Sequence, residues 1–362
     1  MSAEQIRKYA AWLGWRAYAI VGGVLVVALT VLILTSVPLW LLGAAILSAW
    51  VPGHWRPLRL LLMLLVWLVL ESAVLIALFV LWIASGFGWA TRRPFFQHAH
   101  YALMGWFLGT LFRIGLGVLR VQLVTVGPTP DTYPGTPLLV FSRHAGPGDS
   151  FTIVNALLND YHRAPRIVLK NTLAWEPAIG MFMHRLPNRF VRPNPKPGED
   201  LRSQIEDLAS GLDGTSALLI FPEGGNYSAA RRDKAIDRLR TLGLEKMAAR
   251  AETWGNVLAP RPGGVVAALE GAPDADVLLC AHTGLDHLFT VLDIWRELPM
   301  DKQLTLAWWR VPRSEIPDGA DAIADWLYEQ WAMIDTWVEQ NRPAHVPPKK
   351  RRRQIVEDAP TA

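Results

Sequence analysis

Apolar residues crowd the first third of the chain. Residues 17–53 contain no Asp, Glu, Lys or Arg, and residues 60–91 contain only Glu71. A helix crosses bilayer hydrocarbon with about 20 predominantly apolar residues, so both stretches are long enough, and the first can turn back near Pro38. Residues 94–112 form a further uncharged run. This pattern predicts a membrane anchor over residues 1–93 with two hydrophobic segments, followed by an apolar helix and connection at the membrane surface over residues 94–124. The rival reading makes the first segment re-entrant and counts residues 94–112 as a third membrane contact. A secretory leader has an apolar region of about 7 to 15 residues, much shorter than this, so the anchor is read as retained.

From about residue 120 the pattern becomes that of a globular domain. Residues 125–137 are rich in Gly, Pro and Thr, which is turn and loop chemistry. Short apolar runs at 137–142, 166–169, 217–221, 257–259, 277–281 and 304–311 read as strands. Longer helical patterns lie at 149–161, 199–210, 229–253 and 320–340. Strands alternating with helices predict an α/β domain over residues 125–342, a mainly parallel sheet flanked by helices, preceded by transmembrane helices. In the last helix Trp326, Leu327, Ile334, Trp337 and Val338 recur at helical spacing, which predicts a packed face.

Charge adds little to this picture until the C-terminus. The formal net charge is +4 over 362 residues, with 51% hydrophobic residues. Basic residues flank every boundary of the apolar stretches (Arg7, Lys8 and Arg16; Arg56 and Arg59; Arg92 and Arg93), so their preference for the cytoplasmic side does not fix the number of spans. A hairpin with both ends cytoplasmic is the arrangement adopted, which puts the globular domain in the cytoplasm, at the plasma membrane if the source is bacterial. Lys349, Lys350, Arg351, Arg352 and Arg353 form a block in the tail 343–362, which reads as a disordered, solvated segment or as a contact for anionic lipid headgroups. No interleaving of basic and aromatic residues accompanies it, so nucleic acid is not an expected partner. The single cysteine, Cys280, excludes an internal disulfide and any multi-cysteine zinc site.

Candidate chemistry concentrates in two clusters. His144-Ala145-Gly146-Pro147-Gly148-Asp149 follows the run 137–142 and places an imidazole five positions ahead of a carboxylate. A neutral imidazole takes a proton from a hydroxyl near neutral pH, and a carboxylate on its other nitrogen fixes the tautomer and stabilises the imidazolium. Taken alone, H-x4-D more often means a loop histidine followed by an N-cap aspartate. The second cluster, Phe221-Pro222-Glu223-Gly224-Gly225, follows the run 217–221 and offers either a strand-ending turn or a constrained turn whose backbone N–H groups meet a phosphate. In open α/β sheets ligands bind beyond the C-terminal ends of the strands, where both clusters fall. No nucleophile-elbow serine or cysteine is present, so a base acting on the acceptor's own hydroxyl is favoured over covalent catalysis. His282 and His287, with Asp286 between, lack a third clear metal ligand and read as a loop after the run 277–281. Lys170 and Arg185 are further candidates for anion contact.

The ordered set of H-x4-D, then F-x-R at Phe190 and Arg192, then F-P-E-G resembles the glycerolipid acyltransferase family, the PlsC-like 1-acylglycerol-3-phosphate acyltransferases. The run Asn256-Val257-Leu258-Ala259-Pro260-Arg261-Pro262-Gly263-Gly264 and the Trp-rich end at 308–337 resemble its lysophospholipid acyltransferase branch. The likeness covers roughly residues 120–340. It implies that His144 is a general base and Asp149 its orienting partner. It also places Arg192, Glu223, Gly224 and Gly225 in the phosphate-binding region of the acceptor. Further implications are an acyl thioester of CoA or acyl carrier protein as donor, a lysophospholipid as acceptor, membrane lipids as surroundings, and neither metal nor other cofactor. Two positions depart from the family pattern. Arg143 stands where many members have Asn, and Gly225-Asn226 stands where many have Thr or Ser followed by Arg. Arg231 and Arg232 are the candidates to replace that arginine. The departures motivate an alternative, a catalytically silent lipid-binding or scaffold protein that retains the fold.

Overall fold

The computed structural model describes residues 3–127, 135–146, 148–191, 200–284, 286, 288 and 290–343. Its strands are β1 (Val121–Val126), β2 (Leu138–Ser142), β3 (Ala164–Lys170), β4 (Arg189–Val191), β5 (Ser216–Ile220), β6 (Asp276–Thr283) and β7 (Lys302–Val311). The helices are α1 (Ala3–Thr35), α2 (Val37–Trp50), α3 (Arg56–Ala84), α4 (Pro94–Leu119), α5 (Asp149–Asn155), α6 (Pro177–Arg185), α7 (Leu201–Ala209), α8 (Ala229–Thr241), α9 (Glu245–Glu252), α10 (Pro262–Gly271), α11 (Val291–Glu297) and α12 (Ala320–Asn341).

The strands form one seven-stranded sheet in the order β1-β7-β6-β2-β5-β3-β4. Strands β6, β2, β5, β3 and β4 run parallel to one another, while β7 is antiparallel to β6 and carries β1 parallel to itself. The sheet is therefore mainly parallel with a reversed edge pair. Residues on the central strands point alternately to its two faces. Leu139, Phe141, Leu218, Ile220, Val277 and Leu279 join the core made with α7, α8, α9, α10 and α12. Leu138, Val140, Ala217, Leu219, Leu278 and Cys280 join the opposite core. That second core contains Leu70, Val74, Leu75 and Leu78 of α3 and Met104, Phe107 and Leu108 of α4, so two of the apolar N-terminal helices roof one face of the sheet.

Polar contacts tie α3 and α1 to the domain. The buried Glu71, the one charge in its apolar run, accepts the Ala178 N–H at the start of α6 at 3.1 Å. Arg185 at the end of α6 donates to the Leu78 carbonyl at 2.7 Å, and Tyr18 of α1 donates to the Trp175 carbonyl at 2.7 Å. The outer faces of α1, α2 and α3 remain apolar and exposed, among them Val24, Leu32, Leu39, Ile46, Ile76 and Phe79. Among the described residues three helices are long and apolar enough to cross a membrane, at Tyr18–Thr35, Arg56–Ala84 and Pro94–Leu119. The apolar helix expected within residues 94–124 is α4, and it is one of these three.

Two expected elements differ. The helix expected at 229–253 breaks into α8 and α9, because Gly243 takes φ +72° and the amides of Gly243 and Leu244 close back onto Arg240 and Leu239. This is the left-handed stop that glycine favours at a helix C-terminus. Residues 257–259 are buried but not a strand, since their neighbourhood is fixed by side chains: Asp335 accepts from the Gly255 and Asn256 amides at 3.0 and 2.6 Å. Two strands were not expected at all: β1 at one edge, mostly exposed, and the three-residue β4 at the other.

Candidate active site

The site is assembled at the C-terminal ends of three neighbouring strands, β6, β2 and β5. After β2 the chain turns tightly and starts α5 at Asp149, whose amide points at the Gly146 carbonyl at 3.4 Å. The turn folds the Asp149 carboxylate back onto its own loop. Oδ2 accepts the amides of Ala145 at 2.6 Å and Gly146 at 2.5 Å and lies 3.3 Å from Nδ1 of His144. Burial alone would raise the pKa of Asp149, but the charge of His282, the hydrogen bonds from both histidines and the Gly146 amide outweigh it and hold the carboxyl well below the usual range. An ionised carboxylate only accepts, so the proton on His144 sits at Nδ1 and Nε2 is left free to take another. The imidazole is tilted over the Phe221 ring with centroids 4.5 Å apart, and the His144 carbonyl accepts the Tyr227 amide at 2.7 Å. Within the hexapeptide, Pro147 lies outside the described residues.

The Phe221–Gly225 segment forms the facing wall. Gly224 has φ +69° and donates its amide to the Phe221 carbonyl at 3.0 Å, while the Pro222 carbonyl accepts the Arg261 amide at 2.9 Å. Glu223 points inward, 3% exposed, where its two oxygens accept the Leu258 amide and the Trp331 indole N–H, each at 3.3 Å. Burial pushes its pKa up to about 8, against the opposing effects of Arg143 and these donors. Glu223 therefore braces the turn against segment 256–260 and α12 rather than reaching toward an acceptor. Arg231 stands beside Gly225, its Nη1 3.7 Å from where a Cβ on that glycine would lie, and donates to the Asn226 carbonyl at 2.9 Å. Arg232 turns away: it donates to the carbonyls of Trp254 and Glu252 at 2.6 Å each and anchors α8 to the end of α9. Of the two candidate arginines, the structure brings Arg231 next to Gly225 and directs Arg232 elsewhere.

A different arginine takes the second place. The Cζ of Arg261 would stand 3.2 Å from a Cβ on Gly224, so its guanidinium covers the turn. Arg238 faces it, and this like charge adds to burial in lowering the pKa of Arg261. Arg231, Arg238 and Arg261 take no carboxylate partner among the described residues. The available signal was the position of Arg261 in the run 256–264, just ahead of the N-terminus of α10, where backbone N–H groups also favour an anion.

Behind the site lies a buried polar layer. Arg143 is 0% exposed, forms an ion pair with Asp286, and donates to the carbonyls of His282 at 2.6 Å and Asn256 at 2.9 Å. Its departure from the family pattern is therefore a matter of internal bracing. His282, expected in a loop, lies in β6 one residue before its end and is 4% exposed. Among the described residues no group of three or more His, Cys, Asp or Glu side chains is placed to hold a metal ion. Arg192 and His287 lie outside the described residues, as does the basic block 349–353. Arg185 is committed to α3, away from the turn.

Residues 124–278 match the family model described as Acyltransferase. An uncharacterized acyltransferase of Schizosaccharomyces pombe (strain 972 / ATCC 24843) is 27% identical over 188 residues, which are 48% of this chain and 51% of that protein. The chain thus spans about half the length of this curated relative. The crystal structure of the 1-acyl-sn-glycerophosphate (LPA) acyltransferase PlsC from Thermotoga maritima aligns with a TM-score of 0.49 and 15% identity, covering 79% of this chain and 98% of that one. Both the family model and the relative are acyltransferases by description, and the matched residues 124–278 contain the H-x4-D and F-P-E-G segments.

Proposed function

We propose, from an acyltransferase-family domain over residues 124–278, that the chain is a membrane-anchored O-acyltransferase moving a fatty acyl group from a thioester to the free hydroxyl of a lysophospholipid such as 1-acylglycerol-3-phosphate. The observation that carries the reading is the His144–Asp149 contact at the end of β2, with Nε2 of His144 left unclaimed by the carboxylate. In the reaction Nε2 takes the proton of the acceptor hydroxyl as its oxygen attacks the thioester carbonyl. The tetrahedral intermediate then collapses, the carbon–sulfur bond breaks, and the leaving thiolate recovers the proton from His144. The thioester is that of CoA or acyl carrier protein, and no cofactor enters these steps.

The turn at Gly224 and Gly225, with Arg231 and Arg261 beside it, receives the acceptor's phosphate. Exposed apolar faces on α1, α2 and α3 hold the domain at a bilayer, from which a lysolipid enters and to which the product returns, on the cytoplasmic side. The silent-scaffold alternative loses much of its motive, because Arg143 is a buried strut and Arg231 stands beside Gly225. Membranes carrying the protein are expected to transfer labelled acyl groups from acyl-CoA to one of a panel of lysophospholipids. Transfer surviving His144→Ala at equal abundance would sink the mechanism.

A further inference from the structure

Asp149 serves two histidines, not one. Its Oδ2, already 3.3 Å from Nδ1 of His144, lies 3.3 Å from Nε2 of His282 as well. The pairing of β2 with β6 explains why: Ser142 is in register with Cys280, so two residues further along His144 and His282 leave adjacent strands side by side. Nε2 of His282 is also 3.2 Å from the Arg143 carbonyl. Both neighbours are acceptors, so Nε2 carries a hydrogen. The carbonyl of His282 in turn accepts from Arg143 at 2.6 Å, which locks the two strand ends together. The side chain is almost fully buried and does not line the open side of the site.

We infer that His282 is a positioning residue for the proposed base: it holds the Asp149 carboxylate by a second imidazole N–H and, when charged, opposes protonation of His144. The inference rests on the reading of His144 as that base. Oδ2 receives two backbone amides and two imidazoles, so its orientation does not depend on His144 alone and persists while His144 gains and loses its proton. The groups facing His282 are Asp149 on α5, Arg143 after β2 and Asp286 after β6, with Cys280 on its own strand close to Asp149. Burial disfavours a charge on His282, but the Asp149 carboxylate, helped by Asp286 and opposed by Arg143, raises its pKa above the ordinary histidine value. A charged His282 and His144 share one carboxylate oxygen, so the charge on His282 is felt at His144.

The test compares full-length protein and His282→Gln in detergent, with acyl-CoA and 1-acylglycerol-3-phosphate, across pH. Glutamine keeps an N–H donor without the charge. Its acidic limb is expected to move to higher pH by about half a unit to one unit, with plateau kcat within about tenfold. A merely structural role would lower the rate and leave the limb in place, and that result overturns the inference. Should His282→Gln not fold, the imidazole 15N signals of the otherwise unaltered chain decide. Asp149→Asn is expected to move the titration of His282 to lower pH, and an unmoved titration overturns the inference. Absence of transfer by the unaltered protein with any acceptor overturns the function instead, and the 15N comparison still reads the His282–Asp149 coupling on its own.

Discussion

The guanidinium of Arg261 covers Gly224, with Cζ 3.2 Å from where a Cβ on that glycine would lie. The segment carrying Arg261 reaches the turn because the Pro222 carbonyl accepts the Arg261 amide and Glu223 accepts the Leu258 amide. This arginine, 37 positions beyond Gly224 in sequence, fills the space beside a turn that has no arginine of its own at Gly225 or Asn226.

Arg261→Gln is accordingly expected to raise KM for a phosphate-bearing acceptor by about 10- to 100-fold while kcat stays within a few fold, the mark of lost ground-state binding. Initial rates with lysophosphatidic acid and with a monoacylglycerol separate the cases. The defect should be confined to the phosphorylated acceptor, and an equal loss on both would remove Arg261 from the phosphate site.

Arg232→Gln is expected to behave in the opposite way. Its guanidinium is spent on the carbonyls of Trp254 and Glu252, so its removal should lower stability by about 1–3 kcal/mol and leave acceptor KM unchanged. Thermal unfolding in detergent and the same rate assay check both halves.

Asp149→Asn removes the charge that fixes the His144 tautomer but retains a side chain of the same shape. The expected result is a fall in kcat of about 10²- to 10⁴-fold with acceptor KM little altered. Binding of lysolipid measured beside turnover would expose a merely misfolded variant, which should lose both.

The contrast between Arg231 and Arg232 shows where the sequence stops being informative. The H-x4-D and F-P-E-G segments each follow an apolar run, and a run of buried β-positions announces a strand; the placing of His144 and Asp149 just beyond a strand end was legible for that reason. Which of two consecutive arginines faces the turn depends on the start of α8 and on the carbonyls exposed at the end of α9. Those carbonyls lie within reach of Arg232 because Gly243 divides one expected helix into two and the end of α9 comes back beside the start of α8. His282 was hidden differently. Its meaning lies in the register of β6 against β2, a non-local fact that the run 277–281 does not carry. Similarly, an apolar stretch of α3 gives the same pattern whether it meets lipid or the sheet, and only the paired partners Val140 and Leu219 reveal that one of its faces is core.

Glu223 provides a test in which stability rather than turnover reports on the site. Its folded pKa of about 8 lies above the ordinary carboxyl value of 4.5. Below about pH 4.5 both folded and unfolded chains hold the proton, and the group adds no pH dependence. Between about 4.5 and 8 the unfolded chain has released the proton while the folded chain keeps it, so this group makes stability fall as pH rises. Above about 8 both forms are ionised and the loss stays constant. Glutamine resembles the neutral carboxyl in shape and does not titrate, so Glu223→Gln should unfold within a few degrees of the parent near pH 5 and gain on it steadily toward pH 8. Glu223→Ala should be less stable throughout, because the Leu258 amide and the Trp331 indole N–H would be left without acceptors in a buried place. Melting curves of the three proteins at half-unit intervals decide the matter. Parallel curves for the parent and Glu223→Gln would mean that Glu223 is ionised in the folded chain across the whole range, and the inward brace would then have to be a buried Glu223–Arg143 charge pair.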